Sequence, residues 1–105
     1  MADFRLLEIV FRYPDGKNEP TVPALQAIID SNARDWLRWN FYVWFIWTNK
    51  ETAEWYELLR AKVPQAHFLI NRIDQIERHG WAEQWIWEWL NNKKPGKSPP
   101  GSLFG

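Results

Sequence analysis

Cysteine is absent from this chain of 105 residues. That removes disulfides, thiolate metal sites and cysteine catalysis together, and it accords with a reducing compartment. Net charge is lacking as well. Thirteen Lys and Arg balance thirteen Asp and Glu, so no overall field draws in nucleic acid or an anionic membrane, and any such attraction must come from a local patch. Long hydrophobic runs are missing too: the longest, Phe41 to Trp47, covers seven residues, against the roughly 20 a spanning helix needs. The opening MADFRLLEIVFRY interrupts its apolar stretch with Asp3, Arg5, Glu8 and Arg12 and does not read as a secretory signal. These absences predict a single cytoplasmic domain with no membrane association.

The parts for covalent or metal chemistry are equally sparse. Of three serines, Ser31 falls on a helix and Ser98 and Ser102 near the end, none inside a nucleophile elbow. The five glycines, Gly16, Gly80, Gly96, Gly101 and Gly105, are scattered and form no phosphate loop. His67 and His79 bracket Asp74 and Glu77, but the spacing matches no compact ligand motif. Glu51, Glu54 and Glu57 line a helix as solvated charges. No catalytic residue, metal ligand or cofactor is assigned.

What the chain does have is tryptophan, nine of them, in clusters at 36–55 and 81–89. So many large rings exceed what a small domain hides, which directs some toward a partner chain or a flat ligand. Residues 4–13 alternate, with Leu7, Ile9, Phe11 and Tyr13 on one face, and predict a strand. PDGKNEP is a loop by its turn chemistry. Thr21 and Pro23 open a helix with Leu25, Ile28, Ile29 and Ala33 inward. Thr48-Asn49-Lys50-Glu51 reads as a capping box for a helix that Pro64 stops. HFLINRI (67–73) is a strand, and 81–92 a helix whose Trp81, Trp85 and Trp89 form a core stripe, with Trp87 on the other side. Residues 93–105, carrying Lys93, Lys94 and Lys97, form a basic Pro/Gly/Ser-rich tail read as flexible.

Segment 34–47 is apolar at every odd position from Leu37 to Trp47. Arginines interleave with aromatics at the even ones. Its length predicts two strands broken near Asn40 or one long bent strand, with a helix running on to Leu37 as a further option. A break at Asn40 makes the order βαββαβ plus a terminal helix: an α+β, ferredoxin-like sandwich over residues 1–92 with an added Trp-rich helix. Apolar residues on both faces of 41–47 predict a homodimer, because an open one-sided sheet would leave that surface in water. Trp36, Arg38, Tyr42 and Trp44, joined by Arg72, suit base stacking and phosphate binding. The alternative is that these aromatics pack under a helix or against a second subunit, with arginine stems covering them. Trp87, off the helix stripe, is the candidate contact for a protein partner or the tail.

The strings FIWTNKETAEWYELL, HFLINRI and GWAEQWIWEWLNN resemble the second half of the SinR-like small bacterial and phage proteins, grouped with VapD-type toxins and the small endoribonucleases of CRISPR adaptation. The likeness covers residues 36–92. It implies a ferredoxin-like fold that dimerises through its sheet. Nucleases of that group carry an acidic residue just after the first strand, to hold a divalent cation. Here the strand ends Phe11-Arg12-Tyr13-Pro14, and the first carboxylate is Asp15, displaced into the loop.

Three functions follow, in order. The first is a non-enzymatic, dimeric binding protein for a nucleotide or single-stranded nucleic acid, suited to a sequestering or inhibiting role in a phage or mobile element. The second is a divalent-metal endoribonuclease using Asp15, and the third a protein-binding inhibitor using Trp87 and the tail.

Overall fold

The fold was analysed in a computed structural model, which describes residues 3–12, 21–73 and 78–93. Tyr13, Asp15, Asp74, Glu77 and the tail from 94 onward lie outside the described residues.

Three strands form where the sequence alternates: β1 (Arg5–Arg12), β3 (Val43–Thr48) and β4 (His67–Ile73), with a short β2 (Asp35–Arg38) ahead of β3. Segment 34–47 is thus a hairpin, broken at Asn40. Asn40 Oδ1 accepts from the backbone N–H groups of Tyr42 (2.8 Å) and Val43 (2.9 Å), and Trp39 N–H donates to the Val43 carbonyl at 2.9 Å. A short amide side chain that bonds the backbone two and three residues ahead favours a turn over a continued strand. The sheet runs β2-β3-β1-β4 with every neighbouring pair antiparallel. With three helices this is an α+β domain compatible with a ferredoxin-like fold.

Helices α1 (Thr21–Asn32) and α2 (Thr52–Lys62) lie on one face. Leu25 and Ile29 from α1 and Trp55 and Leu59 from α2 meet Leu7, Ile9 and Phe11 of β1 and Trp44 and Ile46 of β3, all buried. Asn32 Nδ2 donates to the Ile28 carbonyl at 2.8 Å, satisfying a terminal acceptor of α1. Residues of opposite parity, Leu6, Leu37 and Trp47, form a second core with Ile86 and Leu90 of α3 (Gln84–Asn91) on the other face. β1 and β3 are therefore covered fully on the first face and over one end of the second, which explains the doubly apolar run toward Trp47.

Two expectations are corrected. Thr48 is not a helix cap: it is the last residue of β3, paired with Arg5, so its backbone belongs to the sheet. The cap falls one turn later, at Glu51, whose N–H donates to Glu54 Oε1 at 2.7 Å. The buried Thr48 hydroxyl instead accepts from the Trp55 indole N–H (3.2 Å) and from Lys50 N–H (3.1 Å). Second, Trp81, Trp85 and Trp89 do not form the core stripe. The helix starts at Gln84, which leaves Trp81 ahead of it and 98% exposed, and Trp85 is 57% exposed. Ile86 and Leu90 face the sheet. At about 100° per residue, Trp87 and Trp89 then flank that line and Trp85 falls outside it. Trp87, expected on the opposite side, is half-buried against the second core.

Replacing Thr48 with Val keeps the shape of a buried side chain but removes the acceptor for Trp55. Urea denaturation should show a loss of about 1–3 kcal/mol for Thr48→Val, whereas Thr48→Ser, which keeps the hydroxyl, should lose markedly less.

Candidate functional site

The five residues singled out on the even face of 34–47 and on β4 do not converge on one open surface. Trp44 is fully buried, because its parity points it at α1 and α2 together with Ile9 and Ile46. Trp36, half-buried, tilts against it at 5.3 Å between ring centroids. The Trp36 indole N–H donates to Asp30 Oδ1 of α1 at 3.1 Å. Arg38 closes the stack, with its Cζ 4.7 Å from the Trp44 centroid and 5.0 Å from that of Phe41. Its Nε and Nη2 donate to the carbonyls of Asn40 and Phe41, at 3.1 and 3.3 Å. The guanidinium is thereby committed to the hairpin turn and the indole below it. Tyr42 is half exposed at the turn, with Phe41 edge-on to it at 5.6 Å.

Arg72 stands apart. In register it shares a row with Leu7, Ile46 and Trp36, but Trp36 and Arg72 occupy opposite edges of the sheet. Three strand spacings, about 14 Å, and the buried Leu7 and Ile46 separate them. As a single ligand platform the set fails for a reason of parity: the face that carries it is the face on which the two helices pack. Arginine stems over packed aromatics describe it better than stacking sites for bases.

The opposite face offers different geometry. Between the sheet and α3 lies a cavity of about 360 Å³. Phe45, Ile73 and Trp39 come from the sheet side and Ile86, Trp87 and Leu90 from α3. The approach to α3 contributes Arg78 through Ala82. The Trp87 indole lies close against Gly80: a Cβ there would come within 3.1 Å of Trp87 Cζ2, a tight contact that the indole would have to yield to. Trp39 (45% exposed) and Trp81 stand with open ring surface beside the half-buried Trp87.

Arg78 is the unusual member. Its Nη2 is buried and has no hydrogen-bond partner. Burial lowers its pKa from the ordinary arginine value, although a guanidinium keeps its charge in proteins. An unpaired buried donor is costly. In the sequence Arg78-His79 looked like any solvated loop, and nothing in its spacing distinguished it. Among the described residues no group of three or more His, Asp or Glu side chains is placed to hold a metal ion. His67 Nδ1 accepts from Arg12 at 3.1 Å on the far part of the sheet, and His79 lines the cavity.

A second feature missed in the sequence is Asp35, which ties α3 to the sheet edge. Its Oδ2 accepts from the Trp89 indole at 3.0 Å and pairs with Lys93 Nζ at 3.1 Å, while Oδ1 accepts from Trp36 N–H at 2.9 Å. Lys93 Nζ also sits 4.3 Å from the Trp89 ring centroid, so it serves the clamp rather than a free tail. No described helix is long and apolar enough to cross a membrane.

No protein-family model, curated protein or solved structure matches this chain.

Removing the Asp35 carboxylate should loosen α3 selectively. In Asp35→Ala, hydrogen exchange at the amides of 86–92 should speed up by about tenfold or more, because the Trp89 hydrogen bond and the partly exposed Lys93 ion pair are lost together. The β1 and β3 amides should keep their protection. Uniform acceleration across all strands would show that α3 is not a separately held unit.

Proposed function

We propose that this chain is a non-enzymatic binding protein for a nucleotide or single-stranded nucleic acid, seated in the cavity beneath α3. The observation that carries this reading is the indole-lined cavity itself, with the cationic Arg78 among its lining residues. A few hundred cubic ångströms of apolar space with few polar groups is the usual form of a small-molecule site. Each base stacked on an indole contributes about 1–3 kcal/mol, and Trp39 and Trp81 have ring surface to offer. The fold is read as ferredoxin-like βαββαβ with α3 added, which the strand order and the SinR-like resemblance of 36–92 both support. The endoribonuclease reading depends on Asp15, and the inhibitor reading on Trp87 and the tail. Asp15 and the tail from 94 onward lie outside the described residues, and Trp87 is half-buried against the second core rather than fully presented to a partner.

A homodimer belongs to the same proposal. α3 covers one end of the second face, and at the other Val10 and Val43 are half-exposed and Leu69 is 68% exposed. Glu8 and Arg12 flank Val10 on the same side of β1. A twofold axis crossing the strands above Val10 sets Glu8 of each copy opposite Arg12 of the other, so the strip complements itself in charge as well as in apolar surface.

Two experiments test this. Calorimetric titration with mononucleotides and short single strands should show binding that Arg78→Gln weakens by about tenfold or more, the scale of one hydrogen bond to a charged group. Arg72→Gln should leave it unchanged. The reverse pattern would return the ligand to the other face. Sedimentation at micromolar concentration should give a dimer, and Leu69→Lys a monomer; a monomeric parent chain would remove the dimer from the proposal.

A further inference from the structure

Sheet registry lines up four apolar side chains in one row across the second face: Trp39 just past β2, Val43 of β3, Val10 of β1 and Leu69 of β4. The row spans three strand spacings, about 14 Å, and each member keeps surface in water. Over β1 and β4 it is bordered by two polar pairs. Toward α3, Asn71 Nδ2 donates to Glu8 Oε1 at 3.4 Å; on the far side, Arg12 Nη2 donates to His67 Nδ1 at 3.1 Å. At its other extremity the row runs into the cavity, because Trp39 is also a lining residue there, beside Phe45. Trp39 thus belongs to two surfaces at once.

Resting on the dimer and the ligand cavity proposed above, we infer that two copies meet with Trp39 against Trp39, so that the indole of each copy completes the cavity of the other. Steric room selects the axis. Stacked sheets lie about 10 Å apart and a helix with its side chains is about 10 Å across, so one α3 fills the gap and two cannot share an end. A twofold axis along the strands would bring both α3 helices to the same end. An axis along the row sends them to opposite ends. It also leaves every member of the row facing its own twin, with Leu69 on Leu69 at one extremity and Trp39 on Trp39 at the other. The charges agree independently. The same axis exchanges the two borders, so Glu8 of one copy meets Arg12 of the other and Asn71 meets His67. Each cavity then lies between its own α3 and the paired indoles, and it is complete only in the dimer. Since both events share Trp39, a ligand resting on this wall tightens the dimer, and the dimer tightens the ligand by the same factor.

The test has two arms on the full chain. In the first, 5-fluorotryptophan replaces tryptophan, and the Trp39 and Trp55 fluorine resonances are identified by their loss in Trp39→Phe and Trp55→Phe. Dilution through the dimer-to-monomer transition, followed by sedimentation, should shift the Trp39 resonance and leave that of the buried Trp55 in place. A Trp39 resonance unmoved while the dimer dissociates would overturn the inference and leave the dimer standing. In the second, AMP, GMP, CMP and UMP are titrated by calorimetry into the parent chain and Leu69→Lys. Leu69 lies outside the cavity, at the far end of the row, yet its replacement should weaken nucleotide binding at least about tenfold, the scale of one lost stacking partner. An unchanged Trp55 resonance in Leu69→Lys verifies that the variant is folded. Equal affinity in a monomeric Leu69→Lys would overturn the shared wall and leave the nucleotide reading standing. If none of the four nucleotides binds, the nucleotide reading falls and the Trp39 resonance alone decides the pairing. A parent chain that is monomeric throughout would overturn the dimer and the inference together.

Discussion

Double-sided burial of the two central strands is the constraint from which the rest of this structure follows. β3 sends Trp44 and Ile46 to one face and Phe45 and Trp47 to the other, and its neighbour β1 does the same with Leu7, Ile9 and Phe11 against Leu6. A sheet of this kind cannot leave either face to water without exposing large apolar area. α1 and α2 cover the first face. The second is closed in part by α3, which Asp35 holds against the sheet edge through Trp89 and Lys93. With no cysteine for cross-links, the closure rests on packing and on a few placed polar contacts.

Those contacts sort the tryptophans. An indole has one donor, and burying it without an acceptor is costly. Trp55 donates to Thr48, Trp36 to Asp30 and Trp89 to Asp35, three short links between neighbouring elements. Trp44 is the exception: its Nε1 is buried and unpaired. The guanidinium of Arg38 over its ring adds an attraction of the cation–π kind without supplying the missing acceptor. Tryptophans thus knit helices to strands on both faces, and only those near the incomplete end of the second face, Trp39, Trp81 and Trp85, keep much surface in water.

That incomplete end has a simple origin in length. The eight residues of α3 rise about 12 Å, while the eight of β1 extend about 26 Å. One short helix cannot roof the whole strand. Where it stops, the connection through Arg78 and Gly80 leaves a cavity walled by sheet, helix and indoles, and beside it a strip of half-open valines and Leu69. The candidate cavity and the proposed dimer surface both arise from this shortfall.

Alternation of apolar side chains was legible in β1 and β4, helical spacing in α1, and the turn at Asn40 as one of the options for 34–47. These are local properties: a period of two or of 3.6, or an amide that bonds the backbone nearby, needs no knowledge of the rest of the chain. Position of the second helix was legible too, but its cap was placed one turn early, because a Thr with Glu three residues on looks the same whether Thr48 begins a helix or ends a strand. Which indoles would be buried was not legible. The even face of 34–47 carries arginines, which in isolation suggests a wet surface, yet pairing with β1 turned that parity toward α1 and α2. Likewise Trp81, Trp85 and Trp89 keep a helical spacing, but the helix starts after the first of them and docks on Ile86 and Leu90. Composition and periodicity determined the elements and their order, since both act over a few residues. Sheet registry and the docking of α3 decided which surfaces stay open, because only contacts between distant segments choose which face meets the helices and where a cavity is left beneath α3.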